Sequence, residues 1–299
     1  MTDYTDYGLL HCLALLPNME KIYDQGLTSG SSTGFKSLDQ NYTVSPSQWT
    51  LITGIPGHGK SEFLDSLLVN LMMQDWTFAV YSPENQPCEL HLAKLCEKYL
   101  KLPFRDGPTR RMSKSNMESA VRWLNFKMTF INPKGEQPKS IDDILYSSWA
   151  WFEAMGQNQN RGIVIDPWNE LEHQRPHQLS ETEYISQTLS VIRRFAREHK
   201  CHVFLVAHPR TLYRDKDGKT PIPRAYDVSG SAHWFNKADN ILCIWRDTGL
   251  EGNQQVEIHV QKIRFKHIGK PGLVTLMYDR ITGCYHEQGP QPSYSFNQQ

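Results

Sequence analysis

A glycine-rich segment constrains the fold of this 299-residue chain more than any other feature. Residues 54–61 read Gly-Ile-Pro-Gly-His-Gly-Lys-Ser and match the phosphate-binding pattern G-x-x-x-x-G-K-[ST]. Glycines let the backbone wrap around a phosphate chain, Lys60 can reach the β- and γ-phosphates, and the Ser61 hydroxyl can bind Mg²⁺. We therefore predict nucleotide contacts from Gly54, Ile55, Pro56, Gly57, His58, Gly59, Lys60, Ser61 and Glu62.

The residues on either side of this segment have the character that the pattern requires. Residues 49–53 form a short β-prone run, and apolar residues between Phe63 and Met72 recur at helical spacing. A strand before the loop and a helix after it are the expected context of a phosphate-binding loop. The pattern alone leaves one alternative open, a tight strand-to-helix turn with an incidental lysine.

β-like runs and helical patterns alternate along most of the remaining chain. This alternation predicts an α/β fold, in which helices flank a mostly parallel central sheet, followed by a mostly β C-terminal third. The predicted strands are 77–82, 128–131, 162–166, 202–207, 240–245, 256–263 and 273–278, and the predicted helices are 89–100, 141–155 and one that begins near Ser180.

The two ends of the chain look different from its centre. Residues 1–32 are predicted to be an N-terminal appendage, with a short amphipathic helix near residues 13–25 and a Gly/Ser-rich connector. Residues 33–287 form the predicted globular domain, and residues 288–299 a disordered tail. No apolar run approaches the roughly 18 residues needed to span a membrane. The six scattered cysteines and the acidic N-terminus favour a reduced, cytoplasmic setting without a signal or transit peptide.

Three predicted strands end in polar residues where a nucleotide would bind in such a sheet. Glu84 could orient an attacking water, Asp166 could hold Mg²⁺, and His208 could respond to the γ-phosphate. A loop glutamate, a turn aspartate and a strand-capping histidine are the corresponding structural alternatives.

Basic residues cluster in two places although the net charge of the chain is zero. The first cluster lies between residues 210 and 224, and the second between residues 262 and 270. Such clusters are either solvated loops or sites of contact with the phosphates of a nucleotide or of DNA.

Several motifs in sequence order resemble the helicase domain of Twinkle-type proteins. This group is related to the phage T7-type primase-helicases and, more distantly, to the DnaB-type replicative helicases. The motifs are Asp-Pro-Trp-Asn-Glu-Leu at 166–171, His-Gln-Arg-Pro at 173–176, Ala-His-Pro-Arg at 207–210 and Asp-Val-Ser-Gly-Ser-Ala-His-Trp at 227–234.

The resemblance implies a RecA-like P-loop NTPase core whose C-terminal strands are antiparallel. It also implies a homo-oligomeric ring, usually a hexamer, that encircles single-stranded DNA and moves 5′ to 3′ by hydrolysing ATP or another NTP or dNTP with Mg²⁺. In such a family Glu84 corresponds to the catalytic base, Asp166 and Ser61 to the Mg²⁺-binding residues, and His208 to the γ-phosphate sensor.

The resemblance assigns further roles outside the phosphate-binding loop. Lys262 and Arg264 would act on the nucleotide of the neighbouring subunit, as a lysine and an arginine finger. Arg246 and Tyr278 would flank the nucleotide base. The residues of the central DNA-binding loop would be Arg210, Arg214, Lys216, Lys219 and Arg224.

Two further interpretations remain open at the level of sequence. The chain could be a RecA-like, single-stranded-DNA-dependent ATPase, such as a recombinase or a loader, that does not unwind duplex. It could also be a regulatory ATPase whose basic loops bind protein. Because no primase-like region is present, a separate primase or polymerase is the expected partner, and the compact layout suggests the cytoplasm of a bacterial or phage-infected cell.

Overall fold

The computed structural model describes residues 10–132, 137–156, 160–213, 220–228, 230, 232–248 and 252–287. Within these residues nine strands form one sheet. The strands are β1 (Trp49–Thr53), β2 (Trp76–Tyr81), β3 (Met128–Phe130), β4 (Asn160–Ile165), β5 (Cys201–Val206), β6 (Asn240–Trp245), β7 (Gln255–Ile263), β8 (Gly272–Tyr278) and β9 (Tyr285–Glu287). The helices are α1 (Leu16–Gln25), α2 (Lys36–Asp39), α3 (Lys60–Met72), α4 (Cys88–Leu100), α5 (Lys114–Asn125), α6 (Ile141–Met155), α7 (Glu181–Glu198) and α8 (His233–Lys237).

The strands are ordered β3-β2-β4-β5-β1-β6-β7-β8-β9 across the sheet. β1 to β6 pair in parallel, and β7, β8 and β9 continue the sheet in antiparallel pairs. The predicted α/β fold, with a mostly parallel sheet and antiparallel C-terminal strands, is therefore confirmed. β1 lies in the middle of the sheet, so the phosphate-binding segment leaves its centre.

The parallel strands are apolar because helices cover both of their faces. Every residue of β1, β2 and β5 is buried. One hydrophobic core, with Phe63 and Leu67 of α3, packs on one face, and a second core, with Ile144 of α6 and Leu189 of α7, packs on the other. This sandwich holds the carboxyl ends of the parallel strands in a fixed arrangement.

Local sequence fixes where two of the covering helices begin. The Ser180 side chain accepts a hydrogen bond from the Glu183 backbone N–H, and Glu183 bonds back to Ser180. Ser140 and Asp143 form the same reciprocal pair at the start of α6. Such capping boxes satisfy backbone donors that a helix start would otherwise leave free.

The N-terminal segment differs from the body in its exposure. None of the residues of α1 is buried, and its apolar side chains face solvent. The body begins by Gly30, whose N–H donates to the Thr43 Oγ1, and Ser31 pairs with Val44. The predicted tail at 288–299 lies outside the described residues. No helix among the described residues is long and apolar enough to cross a membrane.

Candidate nucleotide site

The phosphate-binding segment connects the carboxyl end of β1 to the first residue of α3, as the sequence predicts. Gly54, Gly57 and Gly59 have positive φ angles of 146°, 79° and 94°. A Cβ on Gly54 would lie 2.2 Å from the Ile244 carbonyl oxygen, so this position also requires close approach to β6. Backbone N–H groups at the start of α3 therefore face the space where an anion would bind.

Lys60 is buried at the start of α3. Its Nζ donates hydrogen bonds to the carbonyl oxygens of Gly54 and Ile55, at 3.0 and 3.3 Å. Burial lowers the pKa of Lys60, and the nearby Asp166 and Glu84 carboxylates oppose that effect. The ammonium is thus held inside the loop, where it can exchange carbonyl partners for phosphate oxygens.

Asp166 follows β4 and is almost completely buried. Burial raises the pKa of Asp166 to about 6, although a hydrogen bond with the Ser61 side chain opposes this effect. Its Oδ1 is buried and has no hydrogen-bond partner among the described residues. An orphaned carboxylate oxygen beside a hydroxyl suits a hard cation such as Mg²⁺, so the predicted ligands Ser61 and Asp166 fit that ion.

Glu84 and His208 meet in front of the same loop, although 124 residues separate them. The His208 Nε2 lies 3.4 Å from the Glu84 Oε1, and the His208 backbone N–H donates to the Asn169 Oδ1 at 3.0 Å. Burial lowers the pKa of His208, as does Lys60, while Glu84 raises it. The structure therefore brings the predicted base and the predicted sensor into contact.

Arg246 follows β6 and touches the loop directly. Its backbone N–H donates to the His58 Nδ1 at 3.1 Å, and its Nη2 donates to the Gly57 carbonyl at 3.3 Å. On the other side the Tyr285 hydroxyl donates to the Gly59 carbonyl at 3.3 Å. The ring of Tyr278 packs against Tyr285 at 5.1 Å between centroids. Arg246 thus contacts the loop directly, whereas Tyr278 reaches it through Tyr285, a neighbour that the sequence does not predict.

Glu62, in the first turn of α3, contacts α4. Its carboxylate forms ion pairs with Lys94 at 3.0 Å and with Lys98 at 2.5 Å. One turn further along α3, the Asp65 Oδ1 lies 2.9 Å from the His91 Nε2. Glu62 therefore fastens α3 to α4, whereas the sequence predicts it as a nucleotide contact.

Lys262 and Arg264 lie at the opposite end of the strands from the loop. β7 runs antiparallel to β6, so Ile263 pairs with Asn240, and Asn240 pairs with Thr50 at the amino end of β1. The loop leaves the other end of this five-residue strand, which is about 16 Å long at 3.3 Å per residue. The two cations are therefore separated from the loop of their own chain.

The two cations at this edge have partners within the subunit. The Lys262 Nζ donates to the Phe235 carbonyl at 2.6 Å and lies over the Phe235 ring. The Arg264 Nε lies 3.0 Å from the Asp239 Oδ1. Burial raises the pKa of Asp239, and the Trp49 N–H and the nearby cations oppose that effect.

The predicted DNA-binding residues are described only in part. Arg210 is exposed, and its Nη2 lies 3.8 Å from the Asp227 Oδ1. Arg224 is also exposed, and its backbone N–H donates to the Asp227 Oδ2 at 2.8 Å. Asp227 thus joins the two ends of the basic segment. Arg214, Lys216 and Lys219 lie outside the described residues.

A family model, the DnaB-like helicase C terminal domain, matches residues 30–286. The chain belongs to this DnaB-like helicase family. A relative described as Twinkle homolog protein, chloroplastic/mitochondrial, from Arabidopsis thaliana, is 40% identical over 298 residues, which cover 97% of this chain and 41% of that protein. The chain thus spans about two fifths of the length of that relative.

Solved structures of DnaB-like proteins share the fold. One solved ATPase domain matches with a TM-score of 0.75 at 21% identity, over 92% of this chain and 98% of that chain. A DnaB-like replicative helicase, described with its interactions with primase, matches with a TM-score of 0.76 at 20% identity, over 95% of this chain and 69% of that chain. The predicted RecA-like helicase fold is confirmed.

The expected cytoplasm of a bacterial or phage-infected cell is wrong. The Arabidopsis thaliana relative of this DnaB-like domain is chloroplastic/mitochondrial, which points to an organelle. The expectation rested on a compact layout and an acidic N-terminus, and neither feature reports the compartment in which a folded domain works.

Proposed function

We propose that the chain is the motor domain of a ring-forming replicative DNA helicase. It would hydrolyse ATP or another NTP or dNTP and move 5′ to 3′ along single-stranded DNA. One observation carries this proposal: the loop lies at the carboxyl ends of the parallel strands, and the cations Lys262 and Arg264 lie at their amino ends. Each subunit then holds two half-sites, and a complete site requires two subunits.

Within one subunit, the described residues support binding and water activation. Lys60 would exchange the Gly54 and Ile55 carbonyls for phosphate oxygens. Glu84 would accept a proton from the attacking water or orient it. His208 touches Glu84 and would report loss of the γ-phosphate to residues 210–224 that follow it. Mg²⁺ bound by Ser61 and Asp166 would neutralise phosphate charge.

The neighbouring subunit would supply the remaining positive charge. An arginine at the γ-phosphate typically contributes about 10³–10⁵ in rate. In this contact the Arg264 surface of one copy meets the loop surface of the next, so the interface is heterologous. Such interfaces close into rings when the rotation between neighbouring subunits permits. Arg246 and Tyr278 are proposed to flank the base, because Arg246 contacts the loop and Tyr278 packs on Tyr285, which bonds to the loop.

DNA would pass along the basic segment that starts at Arg210. Arg210 and Arg224 are exposed at the two ends of this segment, and neither guanidinium is buried in the body. We propose that Arg214, Lys216 and Lys219, between them in sequence, complete this phosphate-binding surface. We also propose a primase or polymerase as a partner, since a DnaB-like replicative helicase that shares the fold is described with its interactions with primase.

Mixing experiments test the shared site. Lys60→Ala should abolish ATPase activity by emptying the loop of its cation, and Arg264→Ala should do so while nucleotide binding stays nearly intact. Mixed oligomers should regain activity, because Arg264→Ala loops can meet intact fingers on Lys60→Ala subunits. Absence of recovery in mixtures that form oligomers would contradict a finger acting between subunits.

A forked duplex with a 5′ tail separates the helicase from the alternative ATPase. We expect nucleotide-dependent strand separation by wild type and none by Lys60→Ala. ATPase activity stimulated by single-stranded DNA without strand separation would instead identify a recombinase-like or loader-like protein.

A further inference from the structure

A buried carboxylate lies under the proposed finger. Asp239 directly precedes β6 and has no exposed surface. Its Oδ2 accepts a hydrogen bond from the Trp49 backbone N–H at 3.2 Å. Trp49 begins the central strand β1, so this carboxylate is attached to the middle of the sheet.

Two guanidinium groups approach the other oxygen of this carboxylate. The Arg264 Nε lies 3.0 Å from the Asp239 Oδ1, and the Arg193 Nε, from α7, lies 3.8 Å from the same atom. The side chain of Asp239 is 1% exposed, whereas those of Arg264 and Arg193 are 26% and 25% exposed. The carboxylate therefore holds its cations from the protein side.

The contact uses only one edge of the Arg264 guanidinium. A guanidinium carries one N–H on Nε and four on its two terminal nitrogens, all fixed in one plane. The contact is an ion pair through Nε and not a hydrogen bond, because the Asp239 Oδ1 has no hydrogen-bond partner among the described residues. The two terminal nitrogens could then bind a phosphate in a bidentate manner.

We propose that Asp239 is the positioning residue for Arg264. This inference rests on the proposed function, because it assumes that Arg264 acts on the nucleotide of the next subunit. A free arginine side chain loses rotamer entropy when it is ordered. The contact with Asp239 orders Arg264 within its own subunit, before the neighbouring nucleotide arrives.

Arg193 affects the net charge of the group formed by Asp239 and Arg264. A carboxylate beside a finger would by itself cancel the charge that the phosphate must meet. Arg193 restores a net positive charge to the cluster, because two guanidinium groups share one carboxylate. Neither the Arg193 Nε nor the Asp239 Oδ1 has a hydrogen-bond partner among the described residues, so Arg193 acts on the carboxylate through its charge.

The test replaces the carboxylate and measures binding and turnover separately. Asp239→Asn keeps an oxygen for the Trp49 N–H and removes the charge that holds Arg264. We expect kcat for ATP hydrolysis by the oligomer to fall by about 10²-fold, as expected for a displaced catalytic group, with nucleotide affinity unchanged. Arg194→Gln is the control, since it removes an exposed α7 cation that makes no ion pair with Asp239; its kcat should match wild type.

Subunit mixing separates a lost finger position from general damage. Asp239→Asn mixed with Lys60→Ala should recover activity, because the first keeps its loop and the second keeps its finger. Asp239→Asn mixed with Arg264→Ala should not recover, because both lack a working finger. Recovery in the second mixture, failure in the first, or a wild-type kcat for Asp239→Asn would overturn the inference.

Two further measurements make the result decisive. If Asp239→Asn does not fold, Asp239→Ser, which also keeps an acceptor for Trp49, replaces it. Insolubility of both variants would show that the acid supports the fold itself and would overturn a positioning role. If the Lys60→Ala and Arg264→Ala mixture does not recover activity, the proposed site between subunits is contradicted. If that mixture recovers and only the Asp239 variants depart from expectation, the positioning role of Asp239 is contradicted.

Discussion

Gly54 occupies a position with two requirements that only a glycine satisfies. Its φ of 146° lies in a region that side chains disfavour, and the Ile244 backbone leaves no space for a Cβ. Gly57 has a φ of 79°, but a Cβ there would meet nothing within 4 Å. The two positions therefore separate backbone strain from backbone crowding within one loop.

Gly54→Ala should destabilise the protein more than Gly57→Ala. Strain alone costs about 1–2 kcal/mol, which is the expected loss for Gly57→Ala. Gly54→Ala must also push β1 away from β6 and should lose roughly 3 kcal/mol or more. Urea unfolding without nucleotide measures both values, and equal losses would show that β6 yields to the new methyl group.

The sequence predicts the part of the site that parallel strands bring together. Lys60, Glu84, Asp166 and His208 each follow a strand of the parallel sheet, so their order along the chain already places them at one edge. The contacts of Tyr285 with Gly59 and of Arg264 with Asp239 depend on strands that fold back antiparallel. Periodicity does not specify the register of such strands, so these contacts become visible only in the structure.

At the scale of elements, the long buried segments were predicted to within about two residues. α6 and β6 have the predicted bounds, because an apolar pattern and clear start signals coincide there. α5 was missed although Ser113 caps it, because only Ala120 and Leu124 are buried along its length. The short α8 was missed as well, since five residues are too few to establish a helical period.

α1 is the element whose sequence and surroundings disagree most. Its apolar residues Leu16, Met19, Ile22 and Tyr23 are all exposed. A ten-residue helix is marginal in water without a surface to pack on. We interpret α1 as a helix that docks on the next subunit of the ring, which would bury these side chains.

Replacing Leu16, Met19 and Ile22 by serine should therefore weaken assembly and leave the fold intact. Each buried apolar side chain contributes about 1.5–3 kcal/mol, so the dissociation constant should rise at least 100-fold. Sedimentation with nucleotide and single-stranded DNA measures this change. A variant carrying Glu20→Gln and Lys21→Gln on the same helix is the control and should assemble like wild type; unchanged assembly of the serine variant would place the docking surface elsewhere.

At the scale of the whole molecule, a histidine is buried near the centre of the sheet. His202, in β5, is completely buried, with its Nε2 2.9 Å from the Thr50 Oγ1 and its Nδ1 2.7 Å from the Ser45 carbonyl. Burial lowers the pKa of His202 to about 4, and the bond to Ser45 opposes that effect. In the unfolded chain the pKa is near 6.5.

Acid should therefore destabilise the whole domain through this residue. Between pH 6.5 and 4 the imidazole is protonated in the unfolded chain and neutral in the native state. The contribution of neutral His202 to the free energy of unfolding is therefore complete above pH 6.5 and is lost as the pH falls toward 4. The loss amounts to roughly 3 kcal/mol. The free energy of unfolding of wild type should fall more between pH 7 and 4.5 than that of His202→Gln, and parallel curves would contradict this assignment.

The reversal of chain direction between β6 and β7 has a consequence for counting. The loop and Arg264 lie at opposite ends of the strands. With the proposed contact between subunits, an open row of identical subunits would end with one loop that no Arg264 reaches and one Arg264 that reaches no loop. Only in a closed ring would every loop meet an Arg264 of a neighbouring subunit. An open row would therefore have one complete nucleotide site fewer than it has subunits. A gap that opens in the proposed ring to admit a DNA strand would inactivate one site for as long as it stays open.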